Sequence, residues 1–404
     1  MKLFLRKSRG ELKLKKKILF YTSGVGLGGV EKVILQVLNS IDTNKFDVKL
    51  ALQYANENLF ENEIPKNINY KYMLPQKIID KTLYYRSKKS NILFRLLYSL
   101  MLSYEKYVIK KNYIEFSKDR DIVIDFKSSD FIKLIKLNTN AKKVCWFHGE
   151  ITKLNRWKER KEYVSSYLNE VDKIITICNE MKKNLLAEIP NVEKKVEVIY
   201  NPFDYGKIKK LSENIEELND EEKKLIKTNY IIMVSRLDNT QKDFITLIKA
   251  FNIIVKTLDI NLVIVGEGSD RFEIENKIRK YNLEDQIHLI GLQKNPYPWI
   301  INAKLLVHSS NYEGLPTVLI EALILKKMIV STDCPTGPKE ILENGKLGIL
   351  VKVGDYKQMA QEIIELLSRN SIKRQKLLKN LELDSEKYNK DIIIKEIENM
   401  LLSI

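Results

Sequence analysis

Two carboxylates, Glu313 and Glu321, stand on either side of a glycine and a proline in the stretch EGLPTVLIE. Pro316 suits the first turn of a helix and Gly314 allows a sharp turn before it, so backbone N–H groups around 315–317 should form an anion site. Carboxylates beside a phosphate would repel it unless they bind hydroxyl groups. The pattern therefore favours a ligand with both phosphate and sugar hydroxyls over two solvated glutamates.

Two cations, Arg236 and Lys242, lie six residues apart in VSRLDNTQKDF, between an expected strand and an expected helix. Both can reach one anion at the carboxyl end of that strand. A diphosphate that leaves a sugar gains charge as the bond breaks, and cations held in place stabilise that charge in the transition state. In so lysine-rich a chain such a pair is more often a solvated surface feature. Only the neighbouring EGLP stretch favours the functional interpretation.

Glycines follow the first expected strand in SGVGLGGVEKVILQVL, where Gly24, Gly26 and Gly29 match G-x-G-x-x-G. A nicotinamide dinucleotide site also needs an acid at the end of the second strand, and that strand ends in Gln53 and Tyr54. The glycines therefore indicate only that a ligand can approach the backbone closely at a helix N-terminus.

Short apolar strands alternate with amphipathic helices along the chain, which predicts βαβ units and parallel sheets. The strand patterns lie near residues 20, 50, 123, 146, 175 and 198, and again near 232, 263, 288, 307, 330 and 350. The charged stretch 203–228 has no strand pattern and predicts a linker with a polar helix. The chain, at 404 residues, is longer than a single hydrophobic core usually supports, so two α/β domains are expected. Ligands are expected at the strand ends that face the cleft between them.

The composition excludes several classes of protein. Cys145, Cys178 and Cys334 lie far apart without C-x-x-C spacing, so neither a disulfide framework nor a zinc site is expected, and a reducing cytoplasm fits. The basic N-terminus lacks the apolar run of a signal peptide, and no stretch has the length of a transmembrane helix. We expect a protein that is soluble or peripheral on a membrane.

The net charge is +16, from 69 Lys and Arg against 53 acids, and the positive excess is densest before residue 120. This favours nucleic acid or anionic lipid as a partner, or else reflects a lysine-rich composition without a function. Residues 92–111, ILFRLLYSLMLSYEKYVIKK, combine an apolar face with basic and aromatic residues. They suit a membrane surface, but the preferred interpretation is an ordinary helix packed on the first sheet.

Four pieces of this sequence resemble the retaining glycosyltransferases of family 4 and their E-x7-E pattern: Arg236 with Lys242, Gly266-Glu267-Gly268, Glu313-Gly314-Leu315-Pro316 and Glu321-Ala322. The resemblance spans 16–360 and is most specific over 229–356. The stretch STDCPTGPKEILENGKLGILVKVGD is similar to members that build bacterial surface polysaccharides on lipid carriers. The family motif has glycines where this chain has Ser235 and Asp243.

The resemblance implies the α/β GT-B fold, in which two Rossmann-like domains with parallel sheets face a cleft. Residues 1–205 would form an acceptor-binding domain and residues 206–385 a domain that binds the nucleotide sugar. Residues 386–404 would form a C-terminal helix that packs back on the first domain.

The resemblance also implies a role for each matching residue. Arg236 and Lys242 would bind the diphosphate, Glu321 would bind the ribose hydroxyls, and Glu313 would bind the donor sugar. His148, in WFHGE, matches the family's histidine near the reacting sugar, although a lone histidine is otherwise more often structural. The other implied donor positions are the turn Gly314, Leu315, Pro316 and Thr317, then Gly291 near the base, and Gly28 and Gly29 under the phosphates and acceptor.

The implied reaction moves a hexose or N-acetylhexosamine, with retention of configuration, from a nucleotide diphosphate sugar to a glycan or polyprenyl-linked acceptor of a surface polysaccharide. The acceptor hydroxyl would attack from the face of the leaving phosphate, and a uridine nucleotide is expected. No cofactor or metal is expected, because two cations and a helix start would neutralise the phosphates.

Two alternatives remain. A nucleotide-sugar epimerase of the same fold would convert the sugar nucleotide without an acceptor. A basic module that binds membrane or nucleic acid would explain the charge, but no nucleic-acid signature is evident and acids interleave with the lysines, so nucleic acid is not expected.

The basic residues also suggest a location. Lys13, Lys15, Lys16 and Lys17 and the segment 76–118 motivate the hypothesis that the first domain lies against the cytoplasmic leaflet. The expected location is the cytoplasm, peripheral on the inner face of the cell membrane, where an anionic surface and a lipid-linked acceptor would meet the protein.

Overall fold

A computed structural model of the chain describes residues 15–26, 28–55, 60–126, 134, 136–137, 140–153, 157–382 and 386–404. Lys13, one of the lysines behind the membrane hypothesis, lies outside these residues. Within them the chain forms two sheets with helices between successive strands, the arrangement of an α/β protein.

The first sheet has the strand order β3-β2-β1-β4-β5-β6-β7. Its pairs β1 with β2, β1 with β4, β2 with β3 and β4 with β5 are all parallel. Strands buried on both faces read as continuous apolar runs, and Ile18, Leu19 and Phe20 of β1 are fully buried. The strands are β1 Lys16–Thr22, β2 Phe46–Tyr54, β3 Asn69–Leu74, β4 Ile122–Asp125, β5 Lys142–Phe147, β6 Lys173–Thr176 and β7 Val196–Val198.

The second sheet has the order β10-β9-β8-β11-β12-β13, and its neighbouring strands are parallel. Its core is apolar throughout, with Phe244, Phe251 and Met359 fully buried on the helices that cover it. The strands are β8 Tyr230–Val234, β9 Asn261–Val265, β10 Ile287–Leu289, β11 Leu306–His308, β12 Ile329–Thr332 and β13 Ile349–Val351.

Helices follow most strands. Those before the second sheet are Gly29–Ser40, Gln76–Ser87, Ile92–Ser117, Trp157–Glu170, Asn179–Glu188, Tyr205–Ser212 and Asp220–Leu225. Those after its first strand are Phe244–Ile254, Arg271–Lys280, Tyr297–Asn302, Thr317–Ile324, Pro338–Ile341, Tyr356–Leu367, Ile372–Leu381 and Lys390–Ser403. Short 3₁₀ turns lie at Glu61–Glu63, Ile151–Lys153, Pro190–Lys195, Glu343–Gly345 and Glu386–Tyr388.

Every strand pattern found in the sequence coincides with a strand of the structure. The sequence did not predict β3, because NYKYML mixes polar and aromatic residues and only Met73 and Leu74 are buried at this edge of the sheet. The stretch 203–228 contains no strand, as predicted, but it holds two helices rather than one. The second begins with a capping box between Asn219 and Glu222.

The preferred interpretation of residues 92–111 is wrong for most of the segment. In helix Ile92–Ser117 the buried residues are Ile109, Tyr113 and Ser117, all in its last third. Hydrophobic periodicity marks an apolar face but does not show what covers it. The first four turns of this helix contain none of its buried residues.

The chain divides into two compact units. One contains the described residues of Met1–Trp146 with Ser166–Ile174 and Ile394–Ile404, and the other contains those of Phe147–Ser165 and Ile175–Ile393. In the first unit, the end of the chain contacts the start of the sheet. The Lys16 ammonium donates to the Leu401 carbonyl at 2.9 Å, and Glu398 accepts from the Asp42 N–H at 2.9 Å and from Lys45 at 2.8 Å. The domain boundaries at 205 and 385 stay a prediction.

The loops after β8 and β9 pack backbone against backbone. The Leu237 N–H donates to the Glu267 carbonyl at 3.0 Å, and the Ser235 N–H donates to Val265 at 3.0 Å. A Cβ on Gly268 would overlap the Leu237 backbone, and a Cβ on Gly266 would overlap the Ser235 carbonyl. Glycine at both positions lets the two loops meet at the carboxyl end of the sheet.

Gly268→Ala should lower the free energy of unfolding of this unit by about 1–3 kcal/mol, because the methyl group would displace the Leu237 backbone. Gly206→Ala is the matched control: its Cβ would lie 3.6 Å from Asp204, an ordinary contact, in helix Tyr205–Ser212. That change should leave stability unaltered or raise it slightly. Calorimetric melting temperatures check both, and equal melting of the two variants would contradict the backbone packing.

Candidate functional site

Two loops flank the point where the strand order of the second sheet reverses, between β8 and β11. Ligands of such sheets bind in the crevice outside the carboxyl ends of the strands at this point. Residues 235–243 follow β8 and residues 309–316 follow β11. The loops are joined by main-chain bonds, from Asp243 N–H to Ser309 O at 3.0 Å and from Asn311 N–H to Gln241 O at 2.8 Å.

Asp243 stands where the family motif has glycine, and the structure explains how it fits. Its φ of −113° does not need glycine, and its side chain accepts from the Thr246 N–H at 2.9 Å. It therefore caps helix Phe244–Ile254, a role for which aspartate is well suited. Its carbonyl accepts from the Ser309 hydroxyl at 2.8 Å, which ties the cap to the opposite loop.

A buried hydrogen-bonded cluster surrounds Glu313, which is 5% exposed. One carboxylate oxygen, Oε1, forms an ion pair with the Lys242 ammonium and accepts from the Ser310 hydroxyl at 2.7 Å. It also lies 3.1 Å from Nε2 of His308. The other oxygen, Oε2, accepts from the Gln241 amide at 3.1 Å. Three loop residues and the last residue of β11 thus hold a single carboxylate.

The surroundings keep Glu313 charged and His308 neutral. Burial by itself would raise the pKa of Glu313, but the Lys242 charge and the hydrogen bond to His308 outweigh it and lower that pKa to about 2. Burial lowers the pKa of His308, and Lys242 adds to this while Glu313 opposes it. The neutral imidazole can then donate from Nε2 to the carboxylate, and the cluster contains one positive and one negative charge.

Arg236 is the exposed cation of the predicted pair, with 65% of its side chain in solvent. Its Nη2 lies 3.2 Å from Asp238 Oδ2 and 3.3 Å from Gln241 Oε1. Gln241 therefore connects Arg236 to Glu313 and so to Lys242. The structure brings these three predicted residues together, and it does so through a glutamine that the sequence analysis did not single out.

Gly314 packs directly against the backbone of another predicted residue. A Cβ at this position would lie 2.5 Å from the His148 carbonyl and 3.2 Å from Cα of Gly149. On its other side, Gly337, with φ +90°, packs so closely that a Cβ there would lie 2.6 Å from the Gly314 carbonyl and 2.7 Å from Pro316. The Gly314–Pro316 turn is thus enclosed by main chain, and the half-buried His148 lies next to it.

The helix after this turn begins at Thr317, and Pro316 stands just before it rather than in its first turn. The turn and the helix include Leu315 and Thr317 as predicted. Glu321 lies on the second turn and is 6% exposed. The hydroxyl of Tyr297 is 3.5 Å from its Oε1, so Tyr297 is a further neighbour of the site.

The remaining predicted residues lie elsewhere. Gly291 follows β10 with φ +74°, and its carbonyl accepts from the Gly266 N–H at 2.8 Å. It lines a cavity of about 1070 Å³ together with Glu267 and Arg271. Gly28 and Gly29 belong to the other compact unit, at the start of helix Gly29–Ser40, where a Cβ on Gly28 would overlap the Glu31 carboxylate.

Sequence reasoning missed His308, Ser310, Gln241 and Tyr297. A signal existed for the first two. In KLLVHSS an apolar parallel strand ends abruptly in polar residues, and strand ends are where such sheets bind ligands. Gln241 and Tyr297 carry no comparable pattern.

Two family sequence models match successive parts of the chain. Glycosyltransferase Family 4 matches residues 27–207, and Glycosyl transferases group 1 matches residues 214–383. The chain belongs to the family 4 glycosyltransferases. The resemblance found in the sequence is thereby confirmed.

Two relatives show how similar this chain is in sequence to other glycosyltransferases. It is 30% identical over 62% of its length to an uncharacterized glycosyltransferase of Methanocaldococcus jannaschii, and the match spans 64% of that relative, slightly less than two thirds. It is 26% identical over 89% of its length to the N-acetylgalactosamine-N,N'-diacetylbacillosaminyl-diphospho-undecaprenol 4-alpha-N-acetylgalactosaminyltransferase of Campylobacter jejuni, of which it covers 92%.

A solved structure gives the fold. HepE of Anabaena, crystallised with UDP and glucose, matches with a TM-score of 0.75 over 96% of this chain and 100% of that one, at 17% identity. The predicted α/β fold of two Rossmann-like domains is confirmed for this family 4 chain. Among the described residues, no group of three or more His, Cys, Asp or Glu is placed to hold a metal ion. A reaction without metal stays a prediction.

Glu313→Gln should lower the free energy of unfolding near neutral pH by about 3 kcal/mol, because it leaves the Lys242 ammonium without its charged partner. The pKa of Glu313 is lower in the folded protein than its ordinary value of 4.5, so its stabilising contribution is present above that value and is lost as pH falls toward about 2. The stability difference between wild type and E313Q should therefore narrow below about pH 4.5. Urea titrations across pH check this, and a constant difference would contradict it.

Proposed function

We propose that this chain is a retaining glycosyltransferase that moves a hexose or N-acetylhexosamine from a uridine diphosphate sugar to a glycan or lipid-linked acceptor in surface polysaccharide synthesis. One observation carries the proposal. An exposed guanidinium, Arg236, is connected through Gln241 to a buried and charged carboxylate, Glu313, at the strand-order reversal of the second sheet.

The donor diphosphate is proposed to bind Arg236 and Lys242. A guanidinium suits phosphate because its N–H groups can bind two oxygens at once, and that of Arg236 is largely in solvent. The Lys242 ammonium has three donors, so it can bind a phosphate oxygen and keep its bond to Glu313. The turn before helix Thr317–Ile324 would add backbone N–H groups.

The donor sugar and the ribose are proposed to bind the two carboxylates. Glu313 is deprotonated, so it can only accept, and sugar hydroxyls are the donors that it would meet. Glu321 would accept from the ribose, with Tyr297 as a neighbour. Gly291 would lie near the base, Gly28 and Gly29 near the phosphates, and His148 near the reacting carbon, as the resemblance implies.

The proposed chemistry needs no enzyme nucleophile. The bond from the anomeric carbon to the phosphate oxygen breaks, and the acceptor oxygen bonds to that carbon from the same face. The acceptor proton passes to the departing phosphate oxygen. Positive charge develops on the sugar and negative charge on the diphosphate, and the cations stabilise the latter without reorganisation. Attack from the leaving-group face retains the configuration.

The acceptor is proposed to be a glycan on a polyprenyl diphosphate. The support is the Campylobacter jejuni transferase, whose name specifies a diphospho-undecaprenol substrate and to which this chain is similar over 89% of its length. A lipid-linked acceptor would place the enzyme on the cytoplasmic face of the cell membrane.

Two measurements test the proposal: whether the product keeps the anomeric configuration of the donor, and whether the reaction requires an acceptor. Nucleotide sugars that raise the melting temperature are incubated with acceptor, and NMR of the product should show the anomeric configuration of the donor. Without acceptor the sugar nucleotide should stay unchanged. Conversion without acceptor would indicate an epimerase instead, and an inverted linkage would rule out the proposed mechanism.

Arg236→Ala should lower kcat by about 100-fold, equivalent to about 3 kcal/mol in the barrier, because the charge on the leaving diphosphate loses a cation. Arg369→Ala removes another exposed arginine, after helix Tyr356–Leu367, and should leave kcat unchanged. Steady-state kinetics with a saturating donor measure both. A purely KM effect of R236A would show that Arg236 binds the ground state and transition state equally.

A further inference from the structure

A stripe of exposed apolar side chains runs along helix Ile92–Ser117. In this fully described segment none of the side chains from 92 to 108 is buried. One side of the helix contacts helix Gln76–Ser87, with the Phe94 ring 6.1 Å from those of Tyr84 and Tyr85. The opposite side is in solvent, and we call its members the apolar stripe: Leu93 60% exposed, Leu96 57%, Leu100 58%, Tyr104 49% and Tyr107 60%.

The spacing of the apolar stripe shows that it is one continuous surface. Its members follow one another at three or four residues, which places them on a single helical face over about 21 Å. Single exposed leucines are ordinary, whereas a contiguous row of this length marks an interaction site. Ile92, four residues before Leu96, is exposed beside it.

Basic residues surround the apolar stripe. Residues 76–118 contain ten Lys and Arg against three acids, a net charge of +7. The last turn of helix Gln76–Ser87 carries one exposed cation, the turn between the two helices two, and the long helix four: Arg86, Lys88, Lys89, Arg95, Lys106, Lys110 and Lys111. An apolar face flanked by cations and tyrosines has the composition of helices that lie in the interface of an anionic membrane.

We propose that the apolar stripe docks this chain onto an anionic lipid surface, with the leucines at the boundary of headgroups and acyl chains and the cations among the headgroups. A second copy of the chain fits this surface poorly, because two faces of +7 would repel each other. The helix lies on the membrane rather than across it, since none of the described helices is long and apolar enough to span one.

A cavity of about 420 Å³ beneath the same pair of helices supports a membrane as the partner of the apolar stripe. It lies at the carboxyl ends of the first strands of the first sheet and is lined by Tyr54, Glu31, Arg86 and Glu105. Leu83 and Leu102, both exposed to solvent, line it too. On the proposed function, an acceptor whose lipid stays in the membrane could present its glycan to these polar groups.

Vesicle flotation with the full chain tests the docking surface. At low salt the protein should float with vesicles of phosphatidylcholine and phosphatidylglycerol, and much less with phosphatidylcholine alone. The double change Leu96→Ser with Leu100→Ser should weaken partitioning by about tenfold or more, since both side chains would be buried in lipid. Ile372→Ser, at a position 80% exposed on helix Ile372–Leu381, is the matched control and should float like wild type.

Charge reversal tests the electrostatic part. Lys106→Glu with Lys110→Glu should weaken flotation with the anionic vesicles, whereas Lys376→Glu, also exposed, should alter it little. The substituted side chains are exposed, so unchanged melting temperatures will show that all variants fold.

Three results would overturn the docking surface: wild type that stays unbound at low salt, a leucine variant that floats like wild type, or a dimer in sedimentation that the leucine variant dissociates. Flotation uses neither donor nor acceptor. Its failure, with normal transfer to a soluble acceptor, would leave the proposed function in place, and normal flotation without transfer would leave the docking surface in place.

Discussion

A buried carboxylate is costly unless a cation and hydrogen bonds compensate it, and Glu313 has both. The requirement shapes the site, because the partners of Glu313 come from two loops. Lys242 and Gln241 follow β8, whereas His308 and Ser310 belong to β11 and its loop. The ion pair therefore holds the loops together, and the neutral histidine lets it exist without a second positive charge.

The strand order of the second sheet brings those loops to one place. β8 and β11 are neighbours in the sheet, although β9 and β10 separate them in the chain. The loops at their carboxyl ends therefore lie side by side. Glycines allow the surrounding main chain to close in. Gly268 contacts the Leu237 backbone in the loop after β8, and Gly314 contacts the carbonyl of His148. The site is thus defined as much by backbone proximity as by its charged side chains.

The sequence was informative where a pattern reflects burial or strand ends. Continuous apolar runs located the strands, except the edge strand β3, which has little to bury. Cations and carboxylates at strand ends located Arg236, Lys242 and Glu313. That Lys242 pairs with Glu313 could not be predicted, because it depends on how two loops pack in three dimensions. The solvent exposure of residues 92–108 could not be predicted for a similar reason. Hydrophobic periodicity identifies the apolar face of a helix but not the element that packs against that face.

Asp243, which caps helix Phe244–Ile254 in place of a glycine, bears on the thermodynamics of the proposed ligand binding. Glycine samples more backbone conformations than aspartate, and a capped aspartate samples fewer still. The adjoining Lys242 is therefore preorganised, and on the proposed function less conformational entropy would be lost when the diphosphate binds. The aspartate would then raise affinity through a stiffer backbone rather than through an additional contact.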